Sequence, residues 1–187
     1  GHVRSRSTSL AVTHYENSFA PPRMRILRAG HPVPDENGFA ASQEVMALLA
    51  SAKAEDQVIV LISGGGSALL PATAKGITLS DKVTVNELLL ESGLDIVRVN
   101  LVRQQLSDLK GGGMLRLASP APVTSYVLSD VIGDDLRAVA SGPTVAPIGT
   151  AEDAIETLQS VDLWEQVPKS VTKHLKASKS VGKFSVA

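Results

Sequence analysis

Apolar residues fall in runs of four to seven, separated by polar stretches rich in glycine, proline and serine, and two periodicities alternate along the chain. Short β-type runs at Leu10 to Thr13, Met24 to Arg28, Val58 to Ile62 and Thr124 to Leu128 predict strands. The Val58 to Ile62 run is uninterrupted and ends at Ser63-Gly64-Gly65-Gly66. Such a run is expected of a strand buried on both faces, so it is placed at the centre of the sheet. Between the strands the apolar spacing turns helical. Asp35-Glu36-Asn37 caps a predicted helix through Phe39, Val45, Met46, Leu48 and Leu49, and Thr78-Leu79-Ser80-Asp81 opens one that carries Val85, Leu88 and Leu89. The latter is expected to stop at Gly93 in a left-handed cap. A third helix is predicted to hold Val102, Leu106 and Leu109 on one face and to end at Gly111-Gly112-Gly113. Asp153 to Leu158 reads as the last secure helix. No repeat is visible. The alternation of strand and helix predicts an α/β fold: three layers, doubly wound around a mainly parallel, Rossmann-like sheet.

The ends of the chain change this picture. Gly1-His2 reads as the remnant of a cleaved tag. Leu10 to Val12 reads as a strand with no earlier element to pair against, as though the chain starts within a domain. Beyond Pro168 the Ser/Lys-rich stretch loses its pattern, so 169–187 is expected to be a linker or tail and 3–168 the domain.

Composition narrows the function classes. With 187 residues and 43% hydrophobic content the chain can bury a sizeable core. No apolar stretch nears the roughly 20 residues of a membrane helix, so no membrane partner is expected. The 18 Lys+Arg against 19 Asp+Glu leave no basic excess for nucleic acid. Cysteine is absent. Thiolate metal and redox sites are thereby excluded, and a cytoplasmic setting is the simplest expectation.

Three segments carry candidate chemistry, each with a bland alternative. Ser63, Gly64, Gly65, Gly66 and Ser67 form a glycine turn directly after a strand, where bare backbone N–H groups at a helix start can hold phosphate. The alternative is a tight turn without a ligand. A Walker-type Lys-Ser/Thr does not follow the glycines, and the dinucleotide fingerprint fails where Leu69 stands in place of its third glycine. Asp130, Asp134 and Asp135 follow the strand ending at Leu128 and suit Mg²⁺, or form an Asp-rich turn. Asn100, Arg103, Ser107 and Lys110 follow roughly helical spacing, leading to Gly111 and Gly112; the alternative is a solvated face. His31, in Gly30-His31-Pro32, lies in a rigid loop after a strand. Ala140-Ser141-Gly142-Pro143-Thr144 is a further small-residue turn.

Taken in order, Ala29-Gly30-His31-Pro32-Val33-Pro34-Asp35, Leu61-Ile62-Ser63-Gly64-Gly65-Gly66-Ser67-Ala68-Leu69-Leu70, Lys110-Gly111-Gly112, Ser129-Asp130, Gly133-Asp134-Asp135 and Ala140-Ser141-Gly142-Pro143-Thr144-Val145 resemble the glycerate 2-kinase family. Its members pair this domain with a C-terminal MOFRL domain. Some, from tartrate and glyoxylate degradation clusters, carry the name hydroxypyruvate reductase. The likeness runs from about Leu10 to Leu158. It implies a transferase that uses ATP to phosphorylate D-glycerate at its 2-hydroxyl, in a cleft completed by the C-terminal domain, for which these 187 residues are expected to hold no counterpart. It also implies roles. Gly64, Gly65, Gly66 and Ser67, with Ser63, Gly111 and Gly112, would bind the nucleotide phosphates. Lys110 would offset their charge, and Asn100 and Arg103 would contact phosphate or the substrate carboxylate. Asp130 or Asp134, with Asp135, would hold Mg²⁺ or orient the hydroxyl.

The chain departs from the family pattern at several points. Gly113 stands where the family has Arg, Gln104-Gln105 where it has Lys-His, and Ile132 where it has Pro. The family's N-terminal Gly-x-Gly-Lys-Ala segment has no counterpart. The 187 residues alone are therefore expected to be inactive. The competing expectations are an NAD(P)-dependent hydroxypyruvate reductase and a non-catalytic nucleotide-binding or interaction domain.

Overall fold

The computed structural model describes residues 7–19, 21–129 and 135–178. Gly1, His2, Asp130, Ile132, Gly133 and Asp134, on which several expectations rest, lie outside them. The fold is α/β with parallel strand pairing. Strand β1 (Leu10–His14) pairs in parallel with β2 (Arg25–Ala29), and β3 (Val58–Ile62) pairs in parallel with β4 (Val123–Val127). Among the described residues seven α-helices accompany them: α1 (Glu36–Ala50), α2 (Gly66–Leu69), α3 (Leu79–Glu91), α4 (Ile96–Gln105), α5 (Gly113–Ala118), α6 (Ala151–Ser160) and α7 (Lys169–Ser178). No described helix is long and apolar enough to cross a membrane.

Side-chain caps fix where the helices begin. The Asp35 carboxylate accepts from Gly38 N at 2.8 Å to open α1, and Asp95 accepts from Val97 N and Arg98 N to open α4. Thr78 with Asp81, and Thr150 with Asp153, form reciprocal capping boxes on α3 and α6. Gly93, at φ +73°, terminates α3 in the left-handed conformation expected of it.

Two apolar clusters hold the elements together. One is mainly helical and joins Val85 and Leu89 of α3, Val99 and Val102 of α4, Leu158 of α6, and Val171 and Leu175 of α7. The other lies under one face of the β3–β4 pair, where Val58, Val60 and Val123 pack on Leu49, Ala72, Leu109, Met114 and Ala118.

Three sequence expectations are corrected. First, β3 is not buried on both faces: Ile59 is 62% and Leu61 75% exposed. Its ladder partner is β4, and among the described residues nothing covers the far face of that pair. Second, the helix expected through Leu109 ends at Gln105. The chain leaves the helix because its backbone bonds to the segment after α2: Asp108 N donates to Ala72 O, and Ala74 N donates to Leu106 O. Third, 169–178 is helix rather than linker. Val171 and Leu175 sit one turn apart and are fully buried, and this i, i+4 pair is what the Ser/Lys composition conceals. His174 Nε2 lies 3.0 Å from Gln105 O, tying α7 to the end of α4.

Candidate functional site: a cationic pocket beside the glycine turn

The site is assembled where the chain leaves β3. Gly65 adopts φ +79° and caps α2, a single turn that carries Ser67 inward. Ser67 is gripped from the other side of the fold. The Lys110 ammonium donates to Ser67 O at 2.9 Å and also to Ser67 Oγ. Ser67 Oγ lies 3.1 Å from Ser141 Oγ, which in turn donates to Asn100 Oδ1 at 2.9 Å. A relay of polar groups thus joins α4, the turn after β3 and the Ala140-Ser141-Gly142 segment.

That last segment is strained. Ala140, Ser141 and Gly142 have φ of +50°, +61° and +63°, a left-handed run that costs a non-glycine residue about 1–2 kcal/mol. Backbone pairing compensates. Gly111 N donates to Ser141 O, Gly112 N to Gly142 O and Met114 N to Pro143 O.

Beside this relay lies a pocket of about 160 Å³. Its walls include His31, Gly65 and Ser67 on one side and Lys82, Asn86, Arg103 and Lys110 on the other. Lys82 and Lys110 are both buried. Burial pulls the Lys82 ammonium down to about 7, with Asp108 opposing and Arg103 adding to the fall. Burial also pulls Lys110 well below its ordinary value, and the neighbouring Lys82 and Arg103 charges push the same way. The Arg103 guanidinium donates through Nη2 to Asn86 Oδ1, while its buried Nε has no partner among the described residues. Among the described residues no carboxylate lines the pocket.

The structure brings together only some of the residues singled out in the sequence. Lys110, Arg103, Ser67, Gly65 and His31 meet in the pocket. Asn100 is buried but turned to Ser141 instead of the pocket, so it supports the relay from behind. The Gly111 and Gly112 N–H groups are spent on Ser141 O and Gly142 O, which removes them as phosphate donors. Ser63 is exposed and lines a separate shallow cleft with Leu61, Tyr126 and Leu128. Asp135 is engaged by Arg137, whose Nε and Nη2 reach the two carboxylate oxygens at 2.9 Å each. That pairing makes Asp135 a poor Mg²⁺ ligand, and among the described residues no group of three acidic or imidazole side chains could hold a metal. Asp130 and Asp134 lie outside the described residues.

Lys82 and Asn86 were missed from the sequence. The signal was present. Lys82 stands three residues before Val85 and seven before Leu89, which puts a lysine on the buried stripe of an amphipathic helix. A charge on that stripe is unusual enough to mark a site.

The fold and site define an α/β domain with parallel strand pairs and a buried cationic pocket beside a glycine turn. A family model described as a domain of unknown function, DUF4147, matches residues 2–176, and the chain belongs to that family. Relatives with names are informative. A glycerate 2-kinase of Pyrococcus horikoshii is 42% identical over 166 residues, covering 89% of this chain and 38% of the relative. A protein of Agrobacterium vitis, provisionally named a hydroxypyruvate reductase, is 47% identical over 149 residues, or 80% of this chain and 39% of the relative. The crystal structure of a glycerate kinase from Thermotoga maritima matches with a TM-score of 0.84 at 38% identity, over 89% of this chain and 40% of that one. The chain therefore spans about two fifths of the length of these relatives.

Proposed function

We propose that the chain supplies the anion-binding part of an ATP-dependent glycerate 2-kinase. In the reaction the 2-hydroxyl oxygen of D-glycerate forms a bond to the γ-phosphorus of ATP. The bond from that phosphorus to the β–γ bridging oxygen breaks, and ADP and 2-phosphoglycerate result. Such a transfer depends on positioning and on neutralising charge around the phosphoryl group. The observation that carries the reading is the convergence of Lys110 and Arg103 on a pocket walled by Gly65 and Ser67.

The residues take roles accordingly. Lys110 fixes Ser67 and places positive charge beside the turn after β3. The N–H groups of Gly66 and Ser67, at the start of α2, are proposed to meet the incoming phosphate oxygens. Arg103 brings its guanidinium to the pocket wall, where it can meet an oxyanion. Asn100, through Ser141, holds Ser67 in place. Asp130 or Asp134 would orient the glycerate hydroxyl or hold Mg²⁺, the roles that the family resemblance implies, and the hydroxyl proton passes to solvent. The 187 residues on their own are proposed to fall short of ordinary turnover, about 1–100 s⁻¹ for kinases. The apolar face of β3–β4, which no described residue covers, supports this, since further protein could close it against the site's sheet.

The test is an ADP-release assay with D-glycerate on the protein together with whatever flanks this chain in its reading frame. Lys110→Met is expected to abolish turnover. ATP is expected to raise the melting temperature where NADPH does not, because a ligand of the folded state stabilises it. Stabilisation by NADPH with no glycerate-dependent ADP release would replace the kinase reading with the reductase one.

A further inference from the structure

Two groups in the pocket have no role in the account above. The Lys82 ammonium, on the apolar stripe of α3, donates to Pro71 O. Asn86, one turn along the same helix, accepts from Arg103. A lysine so placed is costly to the fold, and a methionine or leucine would fill the stripe without the penalty of a buried charge. Its surroundings do not cancel its charge. Among the described residues the pocket lining holds Lys82, Arg103 and Lys110 and no acid. Asp108 is the carboxylate that acts on Lys82, and it is shared with Arg116 and His174. The cavity holds a handful of waters at roughly 30 Å³ each, or one small oxyanion.

We propose that Lys82 is an anion-binding residue which, with Arg103 and Lys110, forms a seat for one small oxyanion, and that Asn86 holds the Arg103 guanidinium toward it. The seat deepens the kinase reading and rests on it for the anion's origin: the carboxylate of the glycerate acceptor or the terminal phosphate of the donor. A lone cation at 82 would need only a carbonyl to satisfy it. Three cationic side chains around one cavity, with no acid among the described residues of its lining, call for a ligand of opposite charge. The lowered proton affinity of Lys82 fits this, because burial alone favours its neutral form and an incoming anion restores the charge.

The test is calorimetric titration of the protein with inorganic phosphate, with D-glycerate and with metal-free ATP, each as a separate probe. Lys82→Met is expected to weaken at least one probe tenfold or more, while the ligand-free melting temperature equals or exceeds that of the parent. A merely structural lysine would lower that temperature and leave the affinities unchanged. At pH 8, titration in two buffers of different ionisation enthalpy is expected to show proton uptake on binding, and the uptake falls in Lys82→Met. Asn86→Asp keeps the side chain's shape and sets a carboxylate against Arg103. It is expected to weaken the same probe, and it decides the matter if Lys82→Met fails to fold. Dependence on Lys82 with glycerate alone assigns the seat to the acceptor; dependence with phosphate and ATP assigns it to the donor. If no probe binds, or if both variants bind all three as the parent does, the seat does not exist. Turnover is not read in these titrations, so a failed kinase assay and a failed seat remain separate results.

Discussion

Gly113 opens α5 at a point where an added Cβ would lie 2.1 Å from Asp108 O. That oxygen is backbone, and the Asp108 N–H is itself held by Ala72 O, so the clash cannot be relieved by a side-chain turn. Gly113→Ala is therefore expected to destabilise the protein by about 1–3 kcal/mol, read from a urea midpoint. At Gly65 the constraint is different. Its φ is +79° and the neighbour is His31 Nε2 at 2.9 Å, a side chain that can move. Gly65→Ala is expected to cost about 1–2 kcal/mol from its backbone angle. Lys82 makes a pH prediction. Its folded value of about 7 lies below the ordinary 10.5, so between these limits the unfolded chain binds more protons. Stability contributed by this group thus rises with pH from about 7 toward 10.5, and its burial penalty is full below 7. Denaturation at pH 6, 8 and 10 is expected to show that slope in the parent and a flatter one in Lys82→Met.

At the scale of elements, the legible parts were those with strong local chemistry. The capping residues Asp35 and Thr78, the Gly93 stop and the β3-to-glycine turn were all readable, because each rests on a few adjacent residues. The end of α4 was not. Its apolar spacing runs on to Leu106 and Leu109, and only pairing with 72–74, some thirty residues away, pulls the chain out of the helix. The same distance in sequence hid the pocket's second wall, since Lys82 and Lys110 meet through tertiary packing. Asn100, placed at the site by helical spacing, instead turns to Ser141. α7 was hidden by composition. With Val171 and Leu175 fully buried against α6 and α4, Leu175→Ala is expected to cost about 2–5 kcal/mol. A tail would tolerate the change, so an unaltered melting temperature would contradict this packing.

For the whole molecule, the open face of β3–β4 is the feature that sequence reading inverted. Ile59, Leu61, Tyr126 and Leu128 expose an apolar surface on the side away from the core. An unbroken aliphatic run was read as burial on both sides, and the second side is bare among the described residues. The chain alone is expected to bind a hydrophobic dye such as ANS, and Leu61→Lys to reduce that binding without lowering the melting temperature. Loss of stability in that variant would mean the face is covered.

The pairing of 111–114 with 141–143 also bears on how the pocket comes into being. The Ser67–Ser141 contact closes a separation of 74 residues, and the Lys110–Ser67 contact one of 43. Loops of that length close slowly, so the walls of the pocket are expected to meet late, on the native side of the folding barrier. An oxyanion that binds there finds nothing to hold in the transition state. It would then slow unfolding and leave the refolding rate unchanged, so the ligand would act as a kinetic latch on a domain that has already folded.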